Sequence, residues 1–337
     1  MDVFNGRRRR PRRGGSSARH LLMTSVHVAV AGLVGLGALS GCGSSATPAS
    51  AVGSSPTATG RDQHRMNVVA TTTQLTDLAT VIGGARVKVT GLLKANVDAH
   101  EYEPSPADID ALATARLVVK NGAGLETWLD DALRAAGTKA TIVDASSGIA
   151  LRPSRDGHES GDDPHYWQDP RNARIVVTTI AAALSAADPD GAPSYATNTT
   201  DYVGELDRLD ADIDAELTPL TNRNVVTNHD ALAYFLDRYR LTFVGAVIPS
   251  FDSQAESSGA EMADLVATIK AHGVKAIFAE TSLPAKAAAT IAAEAGVKVV
   301  VGDDALYGDA LGPPGSDGAT YLAMIRHNAR TLAANLG

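Results

Sequence analysis

The chain has one cysteine in 337 residues, Cys42. A disulfide framework is therefore excluded, and so is a thiolate metal site in the fold. Long apolar runs are also missing. The stretch 25–39 is apolar but too short and too rich in small residues to span a bilayer stably. No His-Glu-x-x-His helix is present, so the commonest zinc hydrolase signature is absent. Beyond the first 41 residues, which hold seven Arg and one Asp, basic residues are scarce. Of 30 basic and 38 acidic groups, 23 and 37 remain, a net charge of −14. Such a surface repels nucleic acid and anionic lipid and attracts cations. No Gly-Ser linker divides the folded region, and no close internal repeat is found.

The N-terminus has the grammar of export. Residues 1–41 read as a signal: a basic stretch containing Arg7, Arg8, Arg9, Arg10, Arg12, Arg13 and Arg19, then the apolar run. It ends in Leu39-Ser-Gly-Cys42, which resembles a bacterial lipobox. Lipidation of Cys42 after cleavage would anchor the chain to the outer face of the cell membrane. Residues 42–65 are Gly, Ser, Ala, Thr and Pro with almost no apolar bulk, a flexible tether. The rest divides into an N-terminal lobe at 66–198, a connecting helix at 199–222 and a C-terminal lobe at 223–337.

Strands and helices alternate in both lobes, which predicts an α/β fold with mainly parallel sheets. In the first lobe, strands are expected at 68–73, 87–93, 117–120 and 140–143, with helices at 75–82, 104–115 and 125–136. In the second, strands are expected at 224–227, 243–248, 276–279 and 297–301, with helices at 229–239, 260–271, 285–295 and 320–336. Between them come helices at 175–186 and 200–217. The latter carries an apolar stripe of Val203, Leu206, Leu209, Ile213 and Leu217, with Asp201, Asp207, Asp210 and Asp214 facing away. A connector of this kind is stiff.

Three histidines stand in distinctive segments: Asp98-Ala-His100-Glu-Tyr-Glu-Pro104, Asp163-Pro-His165-Tyr-Trp-Gln-Asp-Pro170 and Thr227-Asn-His229-Asp-Ala-Leu-Ala-Tyr-Phe235. They lie about 65 residues apart. That spacing excludes a local zinc-finger clip but allows a site built from distant loops. Each falls after a predicted strand or before a helix, where open α/β sheets bind ligands. Imidazole is the commonest protein ligand for transition metals. Asp309, in Leu306-Tyr-Gly-Asp-Ala-Leu311, is a fourth candidate, and Asp303, Asp304 and Glu280 are rival carboxylates. A single loop histidine is usually only solvated or hydrogen-bonded. His20 and His27 belong to the signal and His64 to the tether. His272 and His327 are expected on helix surfaces. His158, in the Gly-rich loop before His165, reads as solvated or as a weak metal collector.

These three segments, with Phe278-Ala-Glu-Thr281, resemble in order the solute-binding lipoproteins of zinc and manganese ABC importers. The resemblance runs from about residue 67 to the C-terminus. It implies two α/β lobes joined by one long helix, with the metal buried between them. It places the metal ligands at His100, His165, His229 and Asp309. At Asp309 the chain departs from the family's usual Asp-Ser-Leu pattern, since Gly308 and Ala310 flank the carboxylate. Asp98, Asp163, Asp230 and Glu280 are candidates for orienting the imidazoles. Manganese members of the family tend to carry Glu in place of His229. Three imidazoles and one carboxylate suit Zn2+ better than Mn2+, which prefers more oxygen. Implied partners are an ABC permease and its ATPase; the protein is expected to be a monomer.

Two other classes fit parts of the pattern. A zinc hydrolase or hydratase would need an open fourth position to activate water, and Asp309 would close it. A surface adhesin with a structural metal is associated with the same family, though no residue here points to adhesion.

Overall fold

The computed structural model describes residues 65–153 and 161–337. Cys42, the signal region, His64 and His158 lie outside the described residues. The first lobe opens with β1 (Met66–Ala70), α1 (Thr73–Gly83), β2 (Val87–Gly91), α2 (Pro106–Thr114), β3 (Leu117–Lys120), α3 (Leu129–Ala136) and β4 (Thr141–Asp144). Its sheet is wholly parallel with order β2-β1-β3-β4. Two helices follow, α4 (Pro170–Ala187) and α5 (Ala192–Leu217). The second lobe comprises β5 (Asn224–His229), α6 (Ala233–Arg238), β6 (Thr242–Ile248), α7 (Gly259–His272), β7 (Ala276–Phe278), α8 (Lys286–Ala295), β8 (Lys298–Val300) and α9 (Tyr321–Leu336). Its parallel sheet has the equivalent order, β6-β5-β7-β8.

In each sheet the chain steps to one side of its first strand and then returns to the other. The crevice at the carboxyl end of that switch point is the place where open α/β sheets receive ligands. In the second lobe it falls between β5 and β7, and His229 is the last residue of β5.

Several helix starts are set by caps that periodicity does not reveal. Expected from 104, α2 begins at Pro106, because Ser105 and Asp108 form a reciprocal capping box. The expected 125–136 helix is shortened to Leu129–Ala136. Gly122, Ala123 and Gly124 before it have left-handed φ of 77°, 50° and 81°, and residues 125–128 form turns instead of helix, with Thr127 N donating to Leu125 O and Leu129 N to Glu126 O. The expected helix at 229–239 starts only at Ala233, since the chain through His229 is still paired to β6 as strand.

The connecting helix α5 is longer than expected, starting at Ala192 with Pro193 in the tolerated first turn. At 26 residues it is about 39 Å long. Leu206, Leu209, Ile213 and Leu217 of its stripe are buried, joined by Tyr195 and Tyr202. Asp210 does not face away: it binds the Arg238 guanidinium at 2.5 and 2.8 Å and accepts the Tyr239 hydroxyl at 3.0 Å. Thus α5 is clamped to α6. One continuous apolar cluster runs from Val68 and Val119 through Val177, Leu206 and Ile213 to Phe235, Phe278 and Leu332. Both lobes share it.

Candidate metal centre

His100, His165, His229 and Asp309 come together from four segments. One ligand atom from each lies within 4.8 Å of those of the others. His100 Nε2 is 3.4 Å from His165 Nε2 and 4.0 Å from Asp309 Oδ2. Asp309 Oδ1 is 3.1 Å from His165 Nε2 and 3.5 Å from His229 Nε2. Zn–N bonds of ~2.0–2.1 Å put tetrahedral donors roughly 3.3 Å apart. The observed separations bracket that value. The cluster thus fits a four-coordinate cation with small adjustments.

Burial makes the arrangement costly without a cation. The side chains of His165, His229 and Asp309 are fully buried, and that of His100 is 9 % exposed. His229 Nε2 and both Asp309 oxygens make no aligned hydrogen bond among the described residues. Buried polar atoms left unpaired cost about 1–3 kcal/mol each. A shared cation would satisfy His229 Nε2 and one Asp309 oxygen.

The backbone around each candidate donor explains its place. His165 sits in a turn where Asp163 Oδ1 accepts its backbone N–H at 2.9 Å and its Nδ1–H at 2.8 Å. Glu280 Oε1 does the same for His229, at 3.0 and 2.8 Å. A carboxylate can only accept, so each ring carries its proton on Nδ1 and turns Nε2 toward the cluster. His100 is held differently: Asp98 Oδ1 accepts its backbone N–H at 2.9 Å. No carboxylate takes its ring Nδ1 among the described residues. The Asp230 backbone N–H donates to Ser250 O. Asp303 and Asp304 lie exposed on a short turn after β8, away from the cluster.

Asp309 belongs by sequence to the second lobe but is stitched to the first. Gln74 Nε2 donates to Asp309 O at 3.0 Å, and Leu311 N donates to Thr73 Oγ1 at 2.8 Å. Trp167 Nε1 and Gln168 Nε2 donate to Gly308 O at 3.1 and 2.9 Å. Gly308 permits this approach: a Cβ there would meet Glu280 Oε2 at 1.9 Å. A side chain at this position would press on the carboxylate that holds the His229 ring. Sequence reasoning missed Gln74 and Thr73, which carry no signal beyond their place at the start of α1. Trp167 and Gln168 stood in a recognised segment without an assigned task.

Two other features differ from expectation or extend it. His327 is buried rather than on the surface; its Nε2 lies 2.9 Å from Ala305 O, and its ring packs edge-on against Tyr307. Glu126 was not singled out. It accepts from Thr71 Oγ1, Asn121 N and Gly122 N, fixing the left-handed loop beside His165, and burial raises its pKa despite these bonds.

The electrostatics follow from crowding. Burial alone favours neutral rings. For His165 it is outweighed by Asp163 and Asp309, which hold the pKa at about 9. For His229 burial is likewise outweighed, by Glu280 and Asp309. His100 is lowered, chiefly by burial. Asp309 is buried yet held well below the usual carboxylate range by the three imidazoles.

Residues 68–335 match the family described as zinc-uptake complex component A, periplasmic. The manganese-binding lipoprotein MntA of Bacillus subtilis is 33 % identical over 307 residues, covering 89 % of this chain and 95 % of that protein. The zinc-binding protein TroA of Treponema pallidum is 30 % identical over 273 residues, covering 80 % of this chain and 88 % of TroA. The TroA structure superposes with a TM-score of 0.74 at 27 % identity, over 81 % of this chain and 99 % of that one. A manganese-bound periplasmic metal-binding protein from Candidatus Liberibacter asiaticus gives 0.73 at 25 % identity, covering 81 % of this chain and all of that one. Matched over nearly all of both lobes, the chain belongs to the family of periplasmic zinc-uptake component A proteins.

Proposed function

We propose that this protein is the solute-binding component of a metal ABC importer. It captures a divalent cation outside the cytoplasmic membrane through His100, His165, His229 and Asp309, and delivers it to a permease driven by its ATPase. Zinc is the favoured cargo and manganese an accepted one. The observation that carries the reading is the convergence of four donors, three of them fully buried, with unpaired atoms on His229 and Asp309. Three imidazoles and one carboxylate form a nitrogen-rich set suited to zinc. A lipid on Cys42 would hold the protein, as a monomer, near the permease.

Four protein donors leave no open position for a water, so the site is arranged to hold a metal and not to activate a nucleophile. The relatives are named as binding proteins, which agrees. The test is metal analysis of the purified protein followed by zinc and manganese titration of the stripped form. Tight binding of one equivalent, lost in His229→Ala and Asp309→Ala, supports the reading. Unchanged binding in both variants would overturn it.

A further inference from the structure

The three imidazoles are not held alike. His165 and His229 each have a carboxylate on the ring nitrogen away from the cluster, within their own loop or sheet. Among the described residues, the carboxylate contact of this kind to His100 is to its backbone, through Asp98 Oδ1. His100 is also the one member of the set that keeps some exposure. It borders a cavity of about 190 Å³, together with Leu125 of the first lobe and Phe251 and Gln254 of the second. Its seat therefore depends on what holds Asp98.

The second lobe holds Asp98. The Ser253 hydroxyl donates to Asp98 Oδ2 at 2.6 Å, and Gln254 Nε2 approaches the same oxygen at 3.3 Å. The Ser253 bond is short and charge-assisted, the stronger class. Ser253 is buried and stands in a stiff turn. Asp252 N donates to Ser250 Oγ, and Gln254 N donates to Asp252 Oδ1. That turn is tied to the end of β5, because Asp230 N donates to Ser250 O at 3.0 Å. A continuous path thus runs from the residue after His229, through Ser250, Ser253 and Asp98, to the His100 amide.

We propose that Ser253 is a positioning residue for His100, acting across the cleft through Asp98, so that His100 is seated as a ligand only while the lobes are together. The proposal rests on the metal-site reading above. Ser253 itself touches no donor atom of the cluster. Closure of the cleft and completion of the coordination shell become one event. Parting of the lobes takes the support from His100 before it disturbs His165, whose carboxylate partner lies two residues away on the same turn.

The test uses the full-length protein with Ser253→Ala and the conservative Ser253→Thr. Loaded with zinc, Ser253→Ala should release metal to a chelator roughly tenfold faster or more, the scale of one lost charge-assisted hydrogen bond. Ser253→Thr should restore slow release. Loaded with Co2+, Ser253→Ala should show weaker visible bands as water replaces His100, a change that general loosening of the fold would not produce. A metal-independent arm follows hydrogen exchange at the His100 amide in the stripped protein, which should quicken in Ser253→Ala alone. Release, bands and exchange all matching wild type would overturn the proposal. Failure of the wild type to hold metal, with the exchange difference intact, would overturn the metal-site reading and leave the positioning link standing.

Discussion

Glu280 grips His229 twice with one oxygen: Oε1 accepts the ring Nδ1–H at 2.8 Å and the backbone N–H at 3.0 Å. His229 ends β5, and Glu280 lies two residues past the end of the neighbouring strand β7, where it bridges to Leu306. Glu280 Oε1 is thus occupied with the His229 ring, while the Asp309 carboxylate lies among the clustered donor atoms.

Replacing each carboxylate should separate the two roles. Glu280→Gln keeps the shape but loses the charge that fixes the ring, and zinc affinity should fall roughly 10–100-fold, the usual cost of losing an orienting partner. Asp309→Ala should cost more than that. Calorimetric titration of both variants checks the order. Unchanged affinity in Asp309→Ala with abolition in Glu280→Ala would mean that the fourth ligand is Glu280.

Gly308→Ala should damage the site without unfolding the protein. The added Cβ would collide with Glu280 Oε2, and Glu280 can yield only by releasing His229. A strained insertion of this size costs about 1–3 kcal/mol. Far-ultraviolet circular dichroism should be unchanged while zinc affinity falls. Equal affinity would show that the segment near Asp309 is more pliable than its hydrogen bonds suggest.

Metal binding should strengthen as pH rises toward 9. His165 is held at about 9 and His229 is also raised, so at neutral pH a cation must displace protons. Calorimetry in buffers of different ionisation enthalpy should show proton release on zinc binding at pH 7. No proton release would contradict the raised values.

The same shift has a consequence for the metal-free fold. The folded pKa of His165, about 9, lies above its ordinary 6.5. Its contribution to stability is therefore complete below pH 6.5 and lost as pH rises to 9. Melting temperature of the stripped protein should fall across that window. The zinc-loaded protein, whose rings are already neutral, should not follow it. Parallel curves for the two forms would refute the assignment.

Much of this was legible in the sequence. Alternating apolar runs placed all eight strands within a few residues, and the three histidine segments supplied residues that the fold brings together with Asp309. What periodicity could not give was long-range. The burial of His327 depends on a partner, Ala305 O, 22 residues away. The engagement of Asp210 depends on Arg238, on a different helix. The late start of α6 reflects strand pairing at His229, which local composition does not encode. Asp309 could be named only through the resemblance, because a lone Asp in a Gly-rich turn reads as a turn residue. Its significance appears only when Gln74 and Trp167 are seen to close that turn against the other lobe.

The apolar cluster common to both lobes has a thermodynamic corollary. Each half has a small cluster of its own, but the largest is shared: α5 lends Leu206 and Ile213 to a core that also contains Val119 and Phe278. Damage at one end is then felt at the other. Heating should melt the folded region in a single calorimetric transition, as one cooperative unit.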